Sequence, residues 1–143
     1  MKIKIQFNET YKILQIPVIL KTPLKRVVSN FILDTGSPHT ILNYTDAIRL
    51  GIPHIDKSEI MRIAGRVYQS YVYNKFKIIF KSEDNTEIVQ EISIRALKVS
   101  SNKINEIENI DRMPNLLGLD FLETGYKLYC DLKQRQIFLE ILS

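Results

Sequence analysis

The stretch FILDTGSPHTIL, Phe31 to Leu42, sets one acidic residue between two apolar runs. Phe31-Ile32-Leu33 reads as the end of a buried strand, and Asp34 follows with no polar spacer. An unpaired carboxylate taken out of water costs several kcal/mol or takes up a proton. Either the strand stops at Asp34 or the carboxylate has a job. Gly36 lets the chain turn sharply with backbone amides close to Asp34, and such amides stabilise the charged form. The Ser37 hydroxyl can add one more hydrogen bond.

Working outward, the segment after Ile41-Leu42 has the signals of a short helix. Asn43 is a good N-cap, Asp46 meets the positive end of the helix, Gly51 can close it and Pro53 prevents its resumption. Upstream, Ile3 to Phe7 and Ile13 to Leu20 read as strands joined by a turn at Asn8-Glu9-Thr10, and Val27 to Leu33 as a buried strand. Downstream, 59–80 reads as two strands around Ala64-Gly65-Arg66, with Gly65 at the hairpin tip. Ile88 to Val99 is a further strand, and 100–114 a polar surface loop. NLLGLDFLETG, Asn115 to Gly125, is a buried run broken by Gly118, then a helical turn ended by Gly125. Two strands close the chain, Tyr126 to Asp131 and Gln136 to Leu142. Many short strands with one or two short helices predict a mostly antiparallel β barrel or sandwich.

The 143 residues fit one domain, 1–143. A hydrophobic content of 45% with 25% charged residues is that of a globular chain, and 22 isoleucines favour strands. The net charge is +4, but bases and acids are interleaved, so a solvated surface is expected rather than a nucleic-acid groove. The one cysteine, Cys130, excludes an internal disulfide and is read, beside Leu128 and Tyr129, as a small core residue. Two histidines cannot build a His-rich metal site, and neither metal nor other cofactor is expected. No apolar run reaches the roughly 18 residues of a spanning helix, and the N-terminus lacks a signal-peptide block. No membrane contact is therefore expected, and the expected compartment is the cytoplasm. Tyr68, Tyr71 and Tyr73 are read as core-packing aromatics, and His39 as a loop residue.

Asp34-Thr35-Gly36-Ser37 admits three readings. One is an Asx turn at a strand end. A second is a phosphate-binding hairpin of the sugar-kinase and actin type, which needs a duplicated domain and a second nucleotide motif that this chain is too short to supply. The third is an aspartic-protease loop, which needs a second carboxylate. Asp-Thr-Gly alone is a weak signal, but the context strengthens the third reading. FILDTGSPHTIL, with Thr40 after the triplet, the helix DAIRLGI, the hairpin RIAGRV and the later NLLGLDFLE follow one another in the order found in the retropepsin-like aspartic proteases, which the sequence resembles.

The resemblance implies a closed antiparallel barrel with a flap hairpin and one or two short helices. It implies an aspartic endopeptidase that hydrolyses peptide bonds in polypeptide substrates. Only one Asp-Thr-Gly occurs, and Asp120 in GLD has no Thr-Gly after it, so Asp120 reads as a helix-start acid. A single-domain chain of this kind must form a homodimer, with the two copies of Asp34 activating one water and sharing one proton, as aspartic-protease dyads do. By resemblance Thr35 bonds across the dimer axis, Gly36 contacts the substrate backbone, and Ser37 donates to the outer oxygen of Asp34, which would make the pH optimum more acidic. Gly118 lets the second motif pack beneath the loop. Ile63, Ala64, Gly65, Arg66 and Val67 would close over substrate, and Met1 to Phe7 or Ile137 to Leu142 would complete a dimer sheet. The sequence departs from the family in its single flap glycine and in Pro38 and His39, which stand where polar substrate-binding residues are common. The alternative is a catalytically weak or inactive module that keeps the barrel and binds a peptide or protein.

Overall fold

In β3 (Ile13–Lys21) every second side chain turns inward, and Ile16, Val18 and Leu20 are buried. The same alternation in β4 (Arg26–Leu33) sends Phe31 and Leu33 into the core. The computed structural model describes residues 1–53, 58–63, 65–98 and 113–142. The remaining strands are β1 (Lys2–Lys4), β2 (Gln6–Asn8), β5 (Ile41–Leu42), β6 (Glu59–Ile63), β7 (Arg66–Lys81), β8 (Glu87–Lys98), β9 (Asn115–Leu117), β10 (Tyr126–Asp131) and β11 (Gln136–Ile141). Two short helices complete the described residues, α1 (Tyr44–Arg49) and α2 (Leu119–Glu123).

The larger sheet runs β2-β3-β4-β9-β5-β8-β7-β6, and an added pairing of β3 with β7 closes its middle six strands into a barrel. The expected barrel is therefore present. Its pairing is antiparallel except at β4–β9 and β5–β8, which are parallel. Pro17 is tolerated inside β3 because the partners change there. β2 pairs up to Gln15 and β7 starts at Ile19, so no ladder bond on that side needs the missing N–H. A second sheet, β1-β11-β10, adds Ile3, Ile137 and Leu139 to the barrel core. Among the described residues no helix is long and apolar enough to cross a membrane.

The main core is built on Phe31, Phe76, Phe80 and Phe121, with Phe121 stacked on Tyr126 at 4.4 Å between ring centroids. A second apolar cluster holds Ile41, Tyr68, Leu97 and Leu116, with Ile32, Met61 and Ile63 packed against it. The tyrosines expected in the core divide between the two clusters. Tyr71 is buried in the first and Tyr68 in the second, while Tyr73 is half-buried beside Phe76. Their odd spacing explains this, since Tyr68 and Tyr71 face opposite sides of one strand.

A buried polar knot ties α1 to the barrel. Asp46, 5% exposed, accepts from the Ser29 hydroxyl at 3.0 Å, from Asn115 Nδ2 at 2.5 Å and from Arg49 at 2.8 Å. Asn43 caps α1 as expected, its side chain accepting from the Asp46 amide at 2.8 Å. Its own amide donates to Asn115 Oδ1 at 2.7 Å.

Two expectations are overturned. Ile3 to Phe7, read as one strand, is divided at Ile5 into β1 and β2, which belong to different sheets. Cys130 is exposed, not a core residue. It lies on the inward face of β10 with Tyr126 and Leu128, but burial fades along that face as the strand runs past the core. The segment 100–114, read as a loop, lies outside the described residues except for 113 and 114.

Candidate active site

Strand alternation answers the question raised by Asp34. Leu33 turns into the barrel core, so Asp34 turns to the opposite face, the one that carries Ile32 and the second apolar cluster. The Asp34 amide extends the parallel ladder by donating to the Leu117 carbonyl at 2.9 Å. The chain then turns. The Gly36 amide donates to Asp34 Oδ1 at 2.9 Å, and the Ser37 amide to the Asp34 carbonyl at 3.1 Å. A Cβ at Gly36 would stand 3.2 Å from Asp34 Oδ1, so only glycine brings its amide this close without crowding the carboxylate. Asp34 is half-buried, and Thr35 and Gly36 are exposed at the loop tip.

The loop is locked from behind by the turn into α2. The Leu119 amide donates to the Ser37 carbonyl at 2.8 Å. Thr40, fully buried, donates its hydroxyl to Asp120 Oδ1 at 2.7 Å and its amide to Asp120 Oδ2 at 2.9 Å. The same hydroxyl accepts from the Gly118 amide at 3.2 Å. Gly118 has no room for a side chain, since a Cβ there would lie 2.6 Å from the Ser37 carbonyl oxygen. Asp120 is thus an acid in the first turn of α2 whose carboxylate fastens the two loops together.

Asp34 opens into a cleft of about 390 Å³. Gly36, Ser37, Pro38 and His39 line it from the loop, and Ile41 and Leu116 form its floor. Its far wall is β6, from Glu59 to Ile63, together with Arg95 of β8. Arg95 pairs with Glu59. Of the hairpin residues expected over the site, Ile63 lines the cleft, whereas Gly65, Arg66 and Val67 do not. Gly65 takes the positive φ of a turn, +79°, between the paired Ile63 and Arg66, and Val67 is 57% exposed. Ala64 lies outside the described residues.

Ser37 departs from its expected role. It is buried, and its hydroxyl donates to the His39 carbonyl at 2.7 Å rather than to Asp34. The turn directs the hydroxyl back along its own loop, which removes the reason to expect a more acidic optimum.

Sequence reasoning did not find Glu59, Ile60, Met61, Arg62 or Arg95. For Arg95 a signal existed. It interrupts the apolar run Ile94-Arg95-Ala96-Leu97 as Asp34 follows Phe31-Ile32-Leu33. The β6 residues carried none, because their approach to Asp34 depends on how the hairpin folds back.

Comparison by sequence finds no matching protein family and no matching curated protein. Comparison of structures finds a retropepsin-like aspartic protease from Rickettsia conorii, superposed with a TM-score of 0.62 over 97% of this chain and 89% of that one, at 17% identity. The closed barrel, the two fastened loops and this superposition agree with the resemblance carried by the two motifs, and the chain has the retropepsin-like aspartic protease fold.

Proposed function

We propose that the protein is an aspartic endopeptidase acting as a homodimer on extended polypeptides. One observation carries this reading: Asp34 stands at the end of a barrel strand, held by the Gly36 amide, and opens into a cleft roofed by a hairpin strand. Among the described residues the other acid lining that cleft, Glu59, is paired with Arg95, so we take the second working carboxylate from another copy of Asp34. The exposed Thr35 and Gly36 at the loop tip suit such a meeting.

Two carboxylates brought together cannot both stay charged, so they share one proton. The ionised Asp34 takes a proton from the water as it attacks the peptide carbonyl. The protonated Asp34 donates to the carbonyl oxygen, and the roles exchange as the leaving nitrogen is protonated. Thr35 holds the paired loops across the axis, and Gly36 offers backbone to the substrate. Among the described residues β6 is the outer strand of its sheet, so an extended peptide can add to its edge above the loop, with Pro38 and His39 on the opposite side. The described residues of the hairpin tip, Ile63 and Gly65 to Val67, then serve as the flap that excludes water.

β11 is already paired on both edges, by β1 and β10. Among the described residues the outer strands of that small sheet are β1 and β10; the Lys2 carbonyl of β1 already accepts from the Glu83 amide at 3.0 Å, so we assign the dimer sheet to the edge of β10 rather than to β1 or to the C-terminal strand itself.

The test combines solution mass with cleavage. A dimer that cuts a peptide library, is blocked by a transition-state inhibitor and is silenced by Asp34→Asn supports the reading. A strict monomer with and without inhibitor would remove the dyad and the mechanism with it. A folded dimer that cuts nothing from acid to neutral pH leaves the peptide-binding module in its place.

A further inference from the structure

One row of side chains in register across four strands supplies the floor of the cleft, Leu116 and Ile41, and Arg95 of its far wall. Ile32 on β4 stands opposite Leu116 on β9, Leu116 opposite Ile41 on β5, and Ile41 opposite Arg95 on β8. Register partners share a face, so the row begins as three apolar residues and ends in a guanidinium. The Arg95 side chain is 22% exposed, while that of Glu59 is 53% exposed. Arg95 meets Glu59 through Nη1 alone, and its amide is taken by the Thr40 carbonyl at 3.0 Å. Among the described residues its Nε and Nη2 have no protein partner and no buried side-chain polar atom lacks one, so these donors are open to solvent on a residue that lines the cleft. They are the two parallel donors with which a guanidinium grips a carboxylate.

We infer that Arg95 selects substrates carrying an acidic side chain at a fixed distance from the scissile bond. This rests on the peptidase reading and names its substrate class. From β4 to β8 there are three inter-strand steps of about 4.8 Å, at most about 14 Å in all. An extended peptide advances about 3.3 Å per residue, so the acidic residue sits roughly two to four positions from the bond. Apolar residues nearer the bond lie over Ile41 and Leu116. In a two-fold dimer each subunit supplies its own Arg95, so the preference appears on both sides of the bond. The pairing with Glu59 keeps the guanidinium from standing uncompensated in the empty cleft, and a substrate carboxylate supplements it.

The experiment uses peptides with one common apolar centre and Glu, Gln or Lys at the second, third or fourth position from it. The wild type should cleave the best Glu peptide roughly ten- to a hundredfold more efficiently than its Gln counterpart, the range of a charge-assisted fork. Arg95→Met should erase that ratio, Arg95→Lys should lower it several-fold, and Arg95→Glu should turn it toward Lys. Glu59→Gln should raise it. Equal cleavage of Glu and Gln peptides at every position overturns the inference while the peptidase reading stands. So does a Glu preference that survives in Arg95→Met. If the wild type cleaves none of them, the peptidase reading fails, and fluorescence anisotropy with the same peptides decides the role of Arg95. Tighter binding of the Glu peptide that Arg95→Met removes supports it, and equal binding overturns it. Thermal melts establish that each variant is folded, and the Arg95→Lys and Glu59→Gln ratios decide if Arg95→Met is not.

Discussion

Replacing Thr40 by valine keeps the shape of a fully buried side chain and removes only its oxygen. That oxygen donates to Asp120 Oδ1 at 2.7 Å and accepts from the Gly118 amide at 3.2 Å. Asp120 Oδ1 keeps its contact with the Phe121 amide, and Oδ2 keeps the Thr40 amide. The Gly118 amide is left with no partner in a crevice closed to water, because the carbonyl of Ser37 and the backbone of His39 press on that residue. A hydrogen bond to a charged acceptor is worth about 1.5–3 kcal/mol, and an orphaned buried donor costs about 1–3 kcal/mol. The two losses share one oxygen and do not simply add, so the expected destabilisation is about 3 kcal/mol. For a chain of this size that lowers the melting midpoint by about 6–12 °C. Urea and thermal unfolding should be compared at one protein concentration, because a dimer's midpoint moves with concentration. Thr40→Ser is the control. It keeps the oxygen and loses one methyl, at about 1 kcal/mol. If Thr40→Val unfolds within about 0.5 kcal/mol of the wild type, or no worse than Thr40→Ser, the hydroxyl does not fasten the two loops and the account of Asp120 is wrong.

Asn115→Leu keeps the branched side-chain shape but strips Asp46 of a donor and leaves the Asn43 amide unpaired. A loss of about 2–4 kcal/mol is expected in urea unfolding, and a near-neutral result would refute the polar knot as a support of α1. Burial pushes the Tyr126 hydroxyl above its ordinary value of 10.0, and burial does the same, as the larger of two causes, for Tyr71. A raised folded-state value means that their contribution is fully present below pH 10 and is lost as pH rises from there through the folded-state value. Tyr126→Phe, which also gives up the contact with Gln90, should flatten part of that alkaline loss in unfolding midpoints followed from neutral pH to about 11. An unchanged slope would mean that Tyr126 ionises as freely in the folded chain as in the unfolded one.

Local chemistry made much of this molecule legible from its residues. The cap at Asn43, the positive-φ turn at Gly65 and most of the alternating strands depend on neighbours within a few positions and stand where the sequence put them, whereas Ile3 to Phe7 is divided between two sheets. The Asp34 loop was legible for the same reason, since Asp34 and Gly36 make their bond across two residues. Cys130 is exposed against expectation because its inward parity is local, whereas the distance to which the core extends under β10 is not. The Ser37 hydroxyl had two oxygens within reach, and the path of the loop chose His39.

The sequence by itself determined the barrel class, the strand that delivers Asp34 and the glycines that shape its turn. The tertiary structure decided what surrounds that carboxylate. The fastening of Thr40 to Asp120 spans eighty residues, and the pairing of Arg95 with Glu59 crosses the intervening strand β7. Such contacts follow from strand order and register. These are fixed by closing the whole barrel around its core, so no short window of sequence contains them.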